Sequence, residues 1–128
     1  MKNIFAIVFI AAASVAVAQK QVVSAYNANK SGDYKAAAGY IEEAITIEKA
    51  ALKDKTWRYR GEIYWNIAND SALVLEFPNA LRVAKESYTK AKELDTKGNY
   101  NREIITGLGL VQTTAGNQGI TDYTSENY

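Results

Sequence analysis

The sequence predicts an all-α protein made of antiparallel helix pairs, and three observations carry that expectation. Apolar residues recur at three- and four-residue steps along most of the chain, strand-like alternation never persists, and the only proline is Pro78. Turn signals such as Ser31-Gly32-Asp33 and Asn69-Asp70-Ser71 fall between the periodic segments. With 128 residues, 48% hydrophobic and 23% charged, the chain has the size of one small domain with a single core.

Residues 1–18 read as a cleavable signal peptide. Lys2 supplies the positive start, Ile4 to Val15 the apolar run, and Ala16-Val17-Ala18 the small residues ahead of a cleavage point before Gln19. The run falls short of the roughly 20 residues needed to span a bilayer. The expected location is therefore exported, in the periplasm or cell envelope, with no membrane span after cleavage. Without Lys2 the formal charge falls from +1 to zero.

A short helix is expected over Gln21 to Lys30, stopped by Gly32, with Asp33 capping the next helix. That second helix runs from about Tyr34 to Ile47, with Ala37, Tyr40, Ile41, Ala44 and Ile47 as its apolar stripe. The third starts after Asp54 as cap and carries Trp57, Arg60, Gly61, Tyr64, Ile67 and Ala68 along one side. Residues 71–77 read as an irregular insertion, and Pro78 suits the first turn of a fourth helix over Asn79 to Leu94. Its buried face holds Ala80, Ala84, Tyr88, Ala91 and Leu94, and Glu86 and Lys90 form an i,i+4 pair outside. From Asn101 onward Ile104, Leu108, Val111, Ala115 and Tyr123 keep helical spacing despite four glycines. Among these Gly119 is expected at a close backbone approach, and Gly116 as an alternative helix end.

Composition excludes several function classes. Fifteen Lys and Arg against fourteen Asp and Glu leave no basic excess for nucleic acid. The absence of Cys and His removes thiol nucleophiles, imidazole bases, disulfides and the common zinc sites. Glu42 and Glu43 are adjacent, so they point about 100° apart on a helix and make no acid/base pair. Gly107-Leu108-Gly109 lacks the strand and third glycine of a dinucleotide loop. No catalytic residue, metal site or cofactor is expected, and the chain is not expected to be an enzyme.

Trp57-x2-Arg60-Gly61-x2-Tyr64, followed by Ala84-x3-Tyr88-x2-Ala91, resembles the two-helix signature of the tetratricopeptide repeat (TPR), with Arg60 in place of leucine. Ala37-x3-Ile41-x2-Ala44, preceded by Gly32-Asp33-Tyr34, fits the second helix of an earlier repeat whose first helix, holding Ala25, is degenerate. The resemblance implies a short right-handed α-solenoid of the exported bacterial type. Residues 19–52 form the first repeat, 53–98 the second with its insertion, and 99–128 the long first helix of an incomplete third. It also implies that Ala37, Ala44, Trp57, Gly61, Tyr64, Ala84, Tyr88 and Ala91 are packing residues. If the chain is complete, the face of the last helix is expected to be covered by a second copy; if it is a fragment, by further repeats. The polar end helix usual in capping repeats favours the fragment.

In such arrays the first helices line a groove for a protein or peptide partner. By resemblance Tyr26, Asn29, Lys30, Arg58, Glu62, Trp65, Asn66 and Tyr123 are expected to face it, with Trp65 foremost because Trp, Tyr and Arg dominate interfaces. Packing against the next repeat is the competing role for Trp65, and a surface pair between Arg58 and Glu62 competes with ligand contact. The positions of the carboxylate clamp known in this family hold Val22, Tyr26, Tyr59, Thr113 and Asn117, which argues against a chaperone-tail receptor. The second function class left open is a carbohydrate or small-ligand module built on an aromatic platform of Trp65, Tyr26 and Tyr123.

Overall fold

The computed structural model describes residues 2–119, with side chains from residue 13 onward. The chain is all-α, and the described residues contain no strand. Helix α1 (Lys2–Lys30) is one unbroken helix, not a short helix starting at Gln21. The alanine-rich stretch Ala11 to Ala18 has high helix propensity and no Gly or Pro, so nothing interrupts the backbone at Gln19.

The turn into α2 (Tyr34–Ile45) is as the sequence predicts. Gly32 adopts φ +83°, its N–H reaches the Asn29 carbonyl, and the Asp33 N–H reaches that of Ala28, closing α1 with a Schellman motif. The Asp33 carboxylate then accepts from the Ala36 N–H at 3.1 Å and caps α2. Ala37, Ile41 and Ala44 are buried; the arc continues to Ala38, while Tyr40 is 40% exposed. Three of the five expected stripe residues are thus buried; Tyr40 is not, because α2 packs on both α1 and α4 and its buried arc extends to Ala38, and Ile47 lies beyond the helix, partly buried at the cap of α3.

One turn, α3 (Glu48–Ala51), leads to α4 (Asp54–Ala68). Asp54 is the first helical residue and not the cap; its carboxylate binds the Arg58 Nε at 2.9 Å, and Lys53 stands at the cap without a side-chain bond. Within the expected irregular insertion lies a further turn, α5 (Leu73–Glu76), started by the Asp70 carboxylate, which accepts from the Ala72 and Leu73 N–H groups. Pro78 lies just outside α6 (Ala80–Leu94), before its cap Asn79. Lys90 pairs with Glu93, not with Glu86 as expected. The Asp95 carboxylate accepts from the Asn99 and Tyr100 N–H groups and shapes the turn into α7 (Asn101–Asn117).

Cross-contacts define the layers. Helix α1 packs on α2 and α4 on α6, while α2 also packs on α4 and α6 on α7. Helices α1, α4 and α7 run parallel, because Tyr26 meets Tyr59 and Asn29 meets Asn66 in one step, and Arg58 meets Glu103 and Trp65 meets Thr114 in the next. The core between the layers holds Ile41, Ile63, Ile67, Ile104 and Val111, all fully buried. Among the described residues no helix is long and apolar enough to cross a membrane.

The Tyr88 ring of α6 is held close between Gly61 of α4 and Gly107 of α7. A Cβ at Gly61 would come within 2.8 Å of it, and one at Gly107 within 2.4 Å. Gly107, not Gly119, is therefore the glycine of close approach. Gly119 has φ +72° and open space around it, and it follows the α7 cap Gln118, so it ends the helix by its backbone conformation; Gly116 lies within the last turn.

This geometry separates two glycines on one helix. Gly107→Ala should destabilise by about 1–3 kcal/mol, because overpacking outweighs the helix-propensity gain. Gly109→Ala, whose Cβ would meet open space, should stabilise by up to about 1 kcal/mol. Urea unfolding of both variants checks the pair; equal signs would mean that the Tyr88 ring gives way freely.

Candidate partner-binding face

The parallel helices α1, α4 and α7 present one continuous face, and most of the predicted groove residues meet each other across it. The Tyr26 and Tyr59 rings lie 5.1 Å apart at 38°, with the Lys30 ammonium 5.4 Å from the Tyr26 centroid. Lys30 also pairs with Glu62 at 3.2 Å, and that hydrogen bond, then the Glu62 charge, raises the pKa of the ammonium. Asn66 Nδ2 donates to Asn29 Oδ1 at 2.9 Å, with Asn29 buried.

Arg58 does not pair with Glu62. Its guanidinium is gripped by Asp54 and by both carboxylate oxygens of Glu103 and stacks 3.7 Å from the Tyr100 centroid, with Tyr59 at 6.0 Å. Only 7% of Arg58 is exposed, so its planar fork serves chiefly to bind α4 to α7. Trp65 is half-buried against the core, and its Nε1–H donates to Thr114 Oγ1 at 3.0 Å, again joining α4 to α7. Tyr123 lies outside the described residues.

What remains accessible on this face is a row formed by Lys30 and the rings of Tyr26, Tyr59 and Tyr100, with the buried Arg58 between the last two. Tyr26 and Tyr100 are 39% and 43% exposed. The part of Tyr59 and Tyr100 in the row went unrecognised in the sequence, because neither lies on an apolar stripe and their partners are distant along the chain. A weak signal existed in the run Trp57-Arg58-Tyr59-Arg60, dense in residue types typical of interfaces.

Beneath the face, Ala37, Ala44, Gly61, Tyr64, Ala84, Tyr88 and Ala91 are buried at the helix contacts, and Trp57 is half-buried with its Nε1–H on the Ala51 carbonyl. Arg60, at the position where the repeat pattern has leucine, binds Glu42 at 2.7 Å and Ser87 at 3.0 Å, and the Tyr64 hydroxyl donates to the same Glu42 oxygen. One polar network thus ties α2, α4 and α6. Among the described residues, no group of three or more acidic side chains is arranged to hold a metal ion. Comparison with family models, curated proteins and solved structures returned no match.

The buried phenols make stability depend on alkaline pH. Burial first, then the hydrogen bond to Glu42, raises the pKa of Tyr64; burial first, then the charges of Glu62 and Glu103, raises that of Tyr88. Unfolded tyrosine ionises at about pH 10, so their contribution is complete below that pH. Above it, the unfolded chain releases protons that the folded chain keeps, and stability falls. Melting temperatures should therefore drop above about pH 10, and the drop should be shallower in the Tyr64→Phe/Tyr88→Phe variant. An identical drop in the variant would assign the effect to other groups.

Proposed function

We propose that this chain is an exported TPR-like binding module of the periplasm or cell envelope, without catalytic activity of its own, which holds a segment of a protein partner across α1, α4 and α7. The observation that carries the reading is the row of Tyr26 on α1, Tyr59 on α4 and Tyr100 at the cap of α7, with the buried Arg58 between the last two. Aromatic and guanidinium groups bury large areas at modest entropic cost and keep polar handles. Fixed by lateral pairs before any partner arrives, the row loses little freedom on binding. The TPR resemblance supports the same face, since parallel first helices line the groove in that family. The residues from Lys2 to Ala18 support export.

Peptides selected from a displayed random library against the full chain should lose about tenfold or more in affinity with Tyr26→Ala/Tyr59→Ala, the loss expected for removing central aromatic anchors. Selected peptides indifferent to that change, or a chain that binds glycans alone, would overturn the protein-binding reading.

For a complete chain, a second copy is the partner proposed for α7, whose exposed Ile105 (51%) and Leu110 (43%) flank its outward side about 140° apart. Light scattering across a concentration series should give a dimer that Ile105→Glu/Leu110→Glu returns to monomer. A monomer throughout would remove the dimer and leave that side for a following repeat.

A further inference from the structure

The Tyr88 side chain ends in a hydroxyl that the fold itself does not use. Its ring enters from α6, passes Gly61 of α4 with Cγ and Cδ2, and brings Cζ against Gly107 of α7. The hydroxyl therefore points away from α6, toward the side of α4 and α7 that carries Arg58, Glu62 and Glu103, the charged groups whose fields reach it. Only 7% of Tyr88 is exposed, and its hydroxyl has no hydrogen-bond partner among the described residues. No side-chain polar atom there is both sealed from solvent and unpaired, so this one keeps an opening to the surface. A phenylalanine would fill the same gap without leaving a polar atom unsatisfied. We infer that the Tyr88 hydroxyl, with Glu62 and Glu103, forms a subsite for an arginine side chain of the partner segment, an inference that rests on α1, α4 and α7 being the partner-binding face.

The charge of the subsite selects a cation. Glu62 follows Gly61 on α4, and Glu103 stands one turn before Gly107 on α7; their side chains are 37% and 52% exposed. Lys30 reaches one Glu62 oxygen at 3.2 Å from the α1 side, and the other oxygen has no partner among the described residues. Arg58 binds Glu103 but is shared with Asp54, so the two carboxylates outweigh the one guanidinium. Burial and, after it, the charges of Glu62 and Glu103 hold the proton on the Tyr88 hydroxyl, against the opposing charge of Arg58. A phenol oxygen in a negative field is an acceptor for a positively charged donor.

Arginine matches the arrangement better than lysine. The three acceptors come from three helices, α4, α6 and α7, and a guanidinium spreads five N–H donors over a plane, where an ammonium concentrates three at a point.

The test is a titration of the full chain with Nα-acetyl-L-argininamide, followed through the backbone amide NMR signals. Saturable shifts are expected at Gly61, Glu103 and Gly107, with far weaker binding of the uncharged citrulline analogue. Tyr88→Phe should weaken the binding by about tenfold or more, as for one lost hydrogen bond to a charged group. Its melting temperature at neutral pH should not fall, because the hydroxyl has no bond within the chain to lose. Glu62→Gln should weaken the binding several-fold. Peptides selected on this face should carry arginine at a fixed position and lose affinity in Tyr88→Phe likewise. Equal binding of the citrulline analogue, or undiminished binding by either variant, overturns the subsite; selected peptides that still depend on Tyr26 and Tyr59 would then leave the protein-binding reading standing. Argininamide binding that depends on Tyr88, beside selected peptides indifferent to Tyr26 and Tyr59, would keep the subsite and remove that reading instead.

Discussion

The arrangement depends on one side chain occupying the space of two missing ones. Tyr88 leaves α6 and enters a gap that exists because Gly61 and Gly107 have no Cβ. The ring reaches both α4 and α7, so one wedge from α6 sits between the second helix pair and the helix after it. A small residue in place of the tyrosine would leave a void, and any side chain at either glycine would push the helices apart. The first pair uses a milder version, with Ile41 and buried alanines on both α1 and α2.

Around that wedge, polar groups set which helix lies beside which. Every step between parallel helices has its own chemistry: paired rings and a pair of asparagines from α1 to α4, then a chelated guanidinium and an indole donor from α4 to α7. Apolar packing is nondirectional and tolerates sliding, whereas these bonds fix the offset. The side chains expected from the sequence to await a partner are thus largely engaged with each other, and the binding role proposed for this face rests on the parts of them left accessible. Rigidity, more than unsatisfied valence, distinguishes this face.

Local features were legible in the sequence and distant ones were not. The Gly32-Asp33 turn was readable because both of its functions, a left-handed backbone and a carboxylate cap, act within a few residues. Ala80, Ala84, Tyr88 and Ala91 of α6 and Ile104, Leu108, Val111 and Ala115 of α7 were readable because they recur on one helical face, whereas Leu94 is only partly buried and the buried Leu81 and Ser87 widen the face. Arg60 was not, since Glu42 and Ser87 come from helices on either side of α4. Which glycine receives the aromatic ring depends on the register between α6 and α7, and that register is invisible in a single helical pattern. Tyr40 and Asp54 failed for a related reason: a competing neighbour, a second packing helix in one case and Arg58 in the other, decided their surroundings.

The connection after α4 has a different kind of significance. Its two ends are anchored, at the start by Asp70 on the first N–H groups of α5 and at the end by Phe77 edge-on against Tyr64, while Glu76 reaches back to Lys35 on α2. Between those anchors Leu75 is 83% exposed. Lengthening the loop there would add little closure entropy, because that cost rises only logarithmically with length. An insertion at this tip, an epitope or a reporter, would open one turn of α5 and its Phe77 to Leu73 hydrogen bond while meeting solvent rather than the stack beneath, which makes it the place where added sequence costs the fold least.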